Sequence, residues 1–148
     1  MTRHFISLLD LTSKELLALL DRADEMKRQL KAGNPSTAMQ GKTLALLFDK
    51  SSTRTRVSFE AGMNQMGGHS LFLSAADAQI GRGEPIEDTA RVISRMVDIV
   101  AIRTGPHGNI IRFAENSAVP VINALTDFNH PCQLLADMMT VREHLGRI

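Results

Sequence analysis

The stretch LALLFDKSSTRTRVSFE, residues 44–60, contains a buried-strand pattern, a polar turn and the first turns of a helix in direct succession. The apolar run Leu44 to Phe48 predicts a buried strand. The segment Thr53 to Met66 predicts a helix that ends at Gly67-Gly68. A strand followed at once by a helix is the repeating unit of α/β proteins, in which helices cover a parallel sheet.

The polar hexad Ser51 to Arg56 falls at the N-terminus of this predicted helix. Unpaired backbone N–H groups and the positive end of the helix dipole favour an anion at such a position. The hydroxyls of the hexad can cap the helix or donate to phosphate oxygens, and Arg54 and Arg56 carry guanidinium groups suited to oxyanions. The pattern therefore indicates either an anion site or an ordinary capped helix with solvated arginines.

Helical and strand patterns alternate along the rest of the chain. Thr12 to Glu15 has the spacing of a capping box and opens a helix that ends near Lys31 to Gly33. Further strand patterns cover residues 70–73, 99–102 and 119–122, and further helical patterns cover residues 85–96, 109–116 and 131–145. This alternation predicts one α/β domain over residues 1–148, with parallel strands linked by right-handed crossovers.

Polar residues follow the predicted strands at the edge where parallel sheets bind ligands. Gln79 lies in the loop after the second strand, Arg103 ends the third, and His130 lies in the loop after the fourth. Taken singly, each is ordinary for its position: an exposed loop glutamine, a solvated arginine and a turn histidine. Together with Ser51 to Arg56 they predict a cluster around one small ligand.

Composition excludes several classes of function. The net charge of +1, from 17 basic and 16 acidic residues, argues against a nucleic-acid or membrane surface, so any positive potential is local. Cys132 is the only cysteine, which excludes an internal disulfide and a cysteine-rich zinc site. The absence of a signal-peptide pattern and of an apolar run of membrane length predicts a cytoplasmic protein.

The segment FDKSSTRTRVSFE, Phe48 to Glu60, resembles the carbamoyl-phosphate loop of the aspartate and ornithine carbamoyltransferases. Further motifs of that superfamily follow in order: Gln79-Ile80-Gly81, Ile102-Arg103-Thr104 and His130-Pro131-Cys132-Gln133. The resemblance covers nearly the whole chain and implies a three-layer α/β/α domain with a four-stranded parallel sheet in the order 2-1-3-4. The chain is more similar to the ornithine enzymes, because residues 78–84, AQIGRGE, lack the lysine of the SxxKGES loop usual in the aspartate enzymes.

The resemblance also implies roles for individual residues. Carbamoyl phosphate would be bound by Ser52, Thr53, Arg54, Thr55, Gln79, Arg103, His130 and Gln133, of which Arg103, His130 and Gln133 would be catalytic. Arg103 would join Arg54 on the phosphate and stabilise charge on the carbamoyl oxygen, to which His130 also donates. Gln133 would accept from the carbamoyl NH₂. In the family the loop that carries Gln79 enters an adjacent subunit's active site, which implies a homotrimer.

The implied reaction transfers the carbamoyl group from carbamoyl phosphate to the side-chain amine of L-ornithine, giving L-citrulline and phosphate in arginine biosynthesis. It needs no metal or redox cofactor. Family members continue into a second domain with an SMG loop and an HCLP segment, and neither string occurs here. We therefore expect the chain to bind carbamoyl phosphate and phosphate, to need that second domain for L-ornithine, and to be inactive alone. Two alternatives are a carbamoyltransferase for another amine, such as putrescine or an acylated ornithine, and a non-enzymatic anion-binding or oligomerisation module.

Overall fold

The computed structural model describes residues 2–74 and 83–146, which form a parallel sheet flanked by helices. The strands are β1 (Thr43–Phe48), β2 (His69–Ser74), β3 (Ile99–Arg103) and β4 (Val121–Leu125). The helices are α1 (Ser13–Lys31), α2 (Thr53–Gln65), α3 (Ile86–Ile93), α4 (His107–Glu115) and α5 (Pro131–Leu145), and a 3-10 helix (Leu8–Asp10) precedes α1. The four strands run in the order β2-β1-β3-β4, so the predicted α/β class and strand order are confirmed.

The core lies on both faces of β1, whose side chains alternate between two buried clusters. One cluster joins β1 to α3 and α4 and includes Ala45, Leu47, Ala90, Ile110 and Phe113. The other joins β1 to α2 and includes Leu44, Leu46, Phe48 and Met63. A strand that is apolar on both faces is typical of a parallel sheet covered by helices on each side. The burial of both faces of β1 explains why the run Leu44 to Phe48 is apolar throughout.

The helices α1 and α5 are joined by ion pairs on the same side of the molecule. Arg142 pairs with both Asp21, at 2.7 Å, and Asp24. Lys27 Nζ lies 2.5 Å from Glu143 Oε1. These contacts connect the first helix to the last, and they hold α5 in position over β4.

The start of α1 confirms the capping box that the sequence predicted. The Glu15 N–H donates to Thr12 Oγ1 at 3.3 Å, and the Thr12 N–H donates to Glu15 Oε2 at 2.8 Å.

Across residues 2–74 and 83–146, no helix is both long enough and apolar enough to cross a membrane.

The strand β4 lies further along the chain than predicted. The apolar pattern predicted a strand over residues 119–122, whereas the strand runs from Val121 to Leu125. The pattern missed this because Asn123 is polar yet fully buried, and its side-chain Nδ2 donates to the Ile6 carbonyl at 2.9 Å. The N-terminal segment supplies that carbonyl, since Phe5 forms a parallel bridge to Ile122. A contact so distant in sequence leaves no local pattern.

The bounds of α3 and α4 differ by up to a few residues from the predicted ones. Differences of this size are common at helix ends.

Candidate anion-binding site

The candidate site lies at the carboxyl edge of the sheet, between β1 and β3. The chain crosses from β1 to β2 on one side, and β3 lies on the other side of β1. Loops that diverge from neighbouring strands leave a crevice at such a switch point. The register pairs Phe48 with Arg103 at this edge, and Arg103 contacts Thr55 directly. The structure thus brings the hexad and Arg103 together, as the sequence predicted.

The N-terminus of α2 forms one wall of the site. Ser52 is the N-cap: its Oγ accepts from the Thr55 N–H at 3.4 Å and donates to Thr55 Oγ1 at 2.9 Å. The other N–H groups of a first helical turn have no acceptor within the helix, and the dipole adds positive potential. The first turn of α2 holds no acidic residue that would compete with an anion. The cap and the free N–H groups together suit a phosphate group.

Arg103 forms the opposite wall. The pairing register between β3 and β4 shifts at this point: Ile102 pairs with Asn123, whereas Arg103 pairs with Leu125. Arg103 Nη1 donates to Thr55 Oγ1 at 3.4 Å, a long hydrogen bond. Arg103 Nε is buried and has no partner among the residues that the structure describes. A buried N–H without an acceptor costs free energy, so this guanidinium has donors for which a bound anion would supply acceptors.

The two arginines of the hexad differ in their surroundings. Arg54 is exposed, and within the described chain it takes part in no hydrogen bond or ion pair. Arg56, by contrast, donates from Nε to Glu60 Oε1 at 2.9 Å, and its guanidinium carbon lies 3.8 Å from the centroid of the Phe72 ring. Of the two arginines that the hexad offers to an anion, Arg56 is therefore engaged within the chain, because α2 places Glu60 one turn after it.

His130 is the N-cap of α5, and its surroundings favour the neutral imidazole. Its Nδ1 accepts from the Gln133 N–H at 3.4 Å. Burial lowers the pKa of His130, the Arg103 charge lowers it further, and Asp137 acts in the opposite direction. Because Nδ1 is the acceptor, the neutral ring carries its proton on Nε2. His130 can therefore donate one hydrogen bond to a carbonyl oxygen, and it lies close enough to Arg103 to feel that charge.

Gln133 has an amide whose orientation is set by a neighbour one turn along α5. Its Nε2 donates to Asp137 Oδ1 at 2.9 Å, which leaves Oε1 as an acceptor at the exposed end of the side chain. An acceptor at this point suits a ligand NH₂ group. Asp137 was missed in the sequence, although its spacing of four residues from Gln133 on a helix is the signal that could have identified it.

Two further residues connect the loops after β1 and β3. The Thr104 hydroxyl donates to the Asp49 carboxylate, and the Asp49 N–H donates to the Arg103 carbonyl at 2.9 Å. Thr104 is buried, and Asn109 of α4 lies 3.5 Å from its hydroxyl. Sequence reasoning missed this contact, because nothing local indicates that residues 49 and 104 meet.

The remaining sequence predictions concern Gln79 and Cys132. Gln79 lies outside the described residues. Cys132 is partly buried: its Sγ donates to the Asn123 carbonyl at 3.4 Å, and burial raises the pKa of the thiol to about 11. Over residues 2–74 and 83–146, no group of three or more His, Cys, Asp or Glu side chains is arranged to hold a metal ion.

Comparison with known proteins gives consistent results. Residues 3–143 match the family model for the aspartate/ornithine carbamoyltransferase carbamoyl-P binding domain. An ornithine carbamoyltransferase from Psychrobacter sp. (strain PRwf-1) is 60% identical over 146 residues, which are 99% of this chain and 48% of that relative. Another, from Ruthia magnifica, is 58% identical over 148 residues, which are 100% of this chain and 50% of that relative.

Solved structures of full-length relatives show the same fold. The crystal structure of ornithine carbamoyltransferase from Burkholderia thailandensis matches with a TM-score of 0.92 and 53% identity, over 96% of this chain and 49% of that one. The catalytic subunit of M. jannaschii aspartate transcarbamoylase matches with a TM-score of 0.90 and 38% identity, over 99% of this chain and 48% of that one. This chain thus spans about half the length of the relatives it matches.

Proposed function

The chain belongs to the aspartate/ornithine carbamoyltransferase family, as its carbamoyl-phosphate-binding domain, and on that basis we propose that it is the carbamoyl-phosphate-binding half of an ornithine carbamoyltransferase. The choice of ornithine is supported by the relative that is 60% identical and carries that name. The observation that carries the proposal is the Arg103 guanidinium, which lies against Thr55 at the α2 N-terminus with a buried Nε that has no acceptor in the described chain.

The phosphate of carbamoyl phosphate would occupy the α2 N-terminus. Ser52, Thr53 and Thr55 offer hydroxyl and backbone donors there, and Arg54 has a guanidinium without a competing carboxylate among the described residues. Arg103 would bridge the phosphate and the carbamoyl oxygen, because its fork presents several donors in one plane. Charge-assisted hydrogen bonds of this kind are the strong ones, so the phosphate would provide most of the affinity.

The carbamoyl end would be recognised by α5. The Nε2–H of neutral His130 would donate to the carbonyl oxygen, and Gln133 Oε1, left open by the contact with Asp137, would accept from the NH₂ group. Inorganic phosphate carries no NH₂ group to engage Gln133. Selectivity for carbamoyl phosphate over phosphate therefore depends on His130 and Gln133.

The chemistry follows from these contacts. A neutral amine attacks the carbamoyl carbon while the carbonyl electrons move onto oxygen. When the tetrahedral intermediate collapses, the bond from the carbamoyl carbon to the phosphate oxygen breaks, and the proton lost by the amine leaves with the phosphate. Donors from Arg103, Thr55 and His130 around that oxygen would stabilise the developing negative charge, as preorganised donors do in acyl transfer. The amine, proposed to be the side chain of L-ornithine, would be bound by the part of the full-length relatives that lies beyond this chain, so we expect no turnover from this chain alone. For the complete enzyme we propose a cytoplasmic role in arginine biosynthesis.

The test is a calorimetric titration of the chain with fresh carbamoyl phosphate and, separately, with phosphate. We expect tighter binding of carbamoyl phosphate, and a loss of about 10- to 100-fold in affinity for both ligands in Arg54→Ala, the usual effect of removing a charged hydrogen-bond donor. Arg56→Ala is the matched control, because Arg56 is occupied by Glu60 and Phe72. Equal binding of both ligands by the unmutated chain would favour a plain anion-binding module.

We also propose that the chain assembles as a homotrimer. Val57 on α2 and Leu71 on the edge strand β2 are more than half exposed, at 56% and 52%. Exposed apolar residues on an edge strand and on the helix beside it are typical of surfaces that associate. Multi-angle light scattering would give the mass directly, and we expect Leu71→Asp to shift the trimer toward monomer. A monomer at high concentration in the unmutated chain would contradict this proposal.

A further inference from the structure

Asn123 occupies a position in β4 where an apolar residue would be expected. Two other residues of β4, Val121 and Ala124, are fully buried, and Asn123 itself is 0% exposed. Its Nδ2 donates to two acceptors, the Ile6 carbonyl at 2.9 Å and Asn129 Oδ1 at 2.5 Å. Its Oδ1 has no partner among residues 2–74 and 83–146. A buried amide with an unsatisfied oxygen costs free energy, so stability alone does not explain its presence.

Asn129 directly precedes His130, and the short loop that contains it is held at both ends. The Thr126 N–H donates to the Asn129 carbonyl at 3.0 Å, and the Asn129 N–H donates to Thr126 Oγ1 at 3.3 Å. Beyond His130, the Cys132 Sγ donates to the Asn123 carbonyl at 3.4 Å. Asn123 therefore contacts the chain both immediately before His130 and shortly after it.

We propose that Asn123, acting through Asn129, is a positioning residue that sets the orientation of His130 toward the carbamoyl group. The amide of Asn123 joins the N-terminal segment at Ile6 to the residue before His130, so the position of the imidazole depends on a bond made inside the sheet. Neither asparagine contacts the ligand in this arrangement. The inference deepens the proposed function and rests on it for the identity of the ligand.

The test uses Asn129, which is only partly buried and can be changed with less risk to the fold than Asn123. Asn129→Ala removes the acceptor for Asn123 Nδ2, whereas Asn129→Asp keeps an acceptor oxygen at the same place. The readout is the ratio of the dissociation constants for phosphate and carbamoyl phosphate. The negative charge added by Asn129→Asp weakens the binding of both anions alike, so its effect largely cancels in this ratio. The ratio therefore reports on the carbamoyl contacts.

We expect Asn129→Ala to lower the ratio by about 3- to 10-fold, the effect of one misplaced neutral hydrogen bond, while phosphate affinity changes less than about twofold. Asn129→Asp should recover most of the ratio. A ratio unchanged in Asn129→Ala, with only a lower melting temperature, would overturn the proposal, because that pattern describes a purely structural contact.

A second measurement needs no ligand and so separates this inference from the proposed function. The His130 imidazole is titrated by NMR in the free chain and in Asn129→Ala. A histidine that moves away from its present position should lose part of its burial and of the influence of the Arg103 charge, so its pKa should rise toward 6.5. If the unmutated chain fails to prefer carbamoyl phosphate, the proposed function fails and this titration still decides the positioning role. An identical titration curve in the variant would refute that role.

Discussion

Replacing Arg103 with methionine should separate ligand binding from stability. In the free chain the guanidinium donates to Thr55 Oγ1 at 3.4 Å, and its buried Nε has no partner among the residues that the structure describes. Losing a long hydrogen bond costs less than about 1 kcal/mol, and removing an unsatisfied buried donor returns a comparable amount. The free energy of unfolding should therefore stay within about 1 kcal/mol of the original. Phosphate binding should lose about 1.5–3 kcal/mol, the contribution of a charged hydrogen bond, or roughly 10- to 150-fold in affinity.

Arg56→Met is the matched control and should show the opposite pattern. Arg56 makes an ion pair with Glu60 one turn away, worth about 0.3–0.5 kcal/mol, and a contact with the Phe72 ring, worth about 0.5–1 kcal/mol. The variant should lose about 1 kcal/mol of stability and keep phosphate affinity within about twofold, since a lost charge outside the site is screened by salt. Urea unfolding gives the stabilities, and calorimetry with phosphate gives the affinities. Weakened phosphate binding in Arg56→Met, equal to that in Arg103→Met, would refute the assignment of Arg103 as the second wall of the site.

Three further predictions concern the fold and its titrating groups. Gly68→Ala should destabilise the chain by about 1–3 kcal/mol in urea unfolding, because the added Cβ would lie 2.8 Å from a backbone carbonyl oxygen. Gly62→Ala should stabilise it by about 0.5–1 kcal/mol, because the added Cβ within α2 would meet no described residue outside its own helical turns within 4 Å; similar effects at both sites would contradict the packing. Cys132, with a thiol pKa of about 11, should react slowly with a disulfide reagent at pH 8 until urea is added; fast reaction in the folded chain would show an open thiol. Because the pKa of His130 is lowered in the folded chain, the stability it contributes is fully present above pH 6.5 and is lost as pH falls through the folded pKa. The variant His130→Asn lacks this titrating group, so its free energy of unfolding should fall less than that of the original chain between pH 7.5 and 5.5.

The sequence predicted the elements that depend on local patterns. The apolar run 44–48 became β1, the capping box opened α1, and the helical pattern 131–145 became α5 with the same bounds. These succeed because caps, turns and periodicity act over a few residues. The strand order 2-1-3-4 came from resemblance and is also confirmed.

Prediction failed where distant residues determine a local feature. The strand β4 runs beyond the predicted residues 119–122, because Ile6 and Asn129 supply the hydrogen bonds that allow the polar Asn123 to be buried. The contact of Arg56 with Phe72 on β2 also joins two separate elements, so no local sequence pattern indicates it. The connection between Asp49 and Thr104 joins residues 55 positions apart. Such contacts arise only once the sheet has formed.

The candidate site is formed by residues that are far apart in the sequence. Thr55 and Arg103 are 48 positions apart in sequence, and they meet because β3 inserts next to β1 rather than next to β2. A partly folded chain that contained only the first strand and helix would have the cap but not the second wall. Phosphate should therefore bind only the completed sheet, and by mass action it should raise the melting temperature as its concentration rises. For this chain, phosphate binding would act as a probe of global folding, because it would report whether β3 has paired with β1.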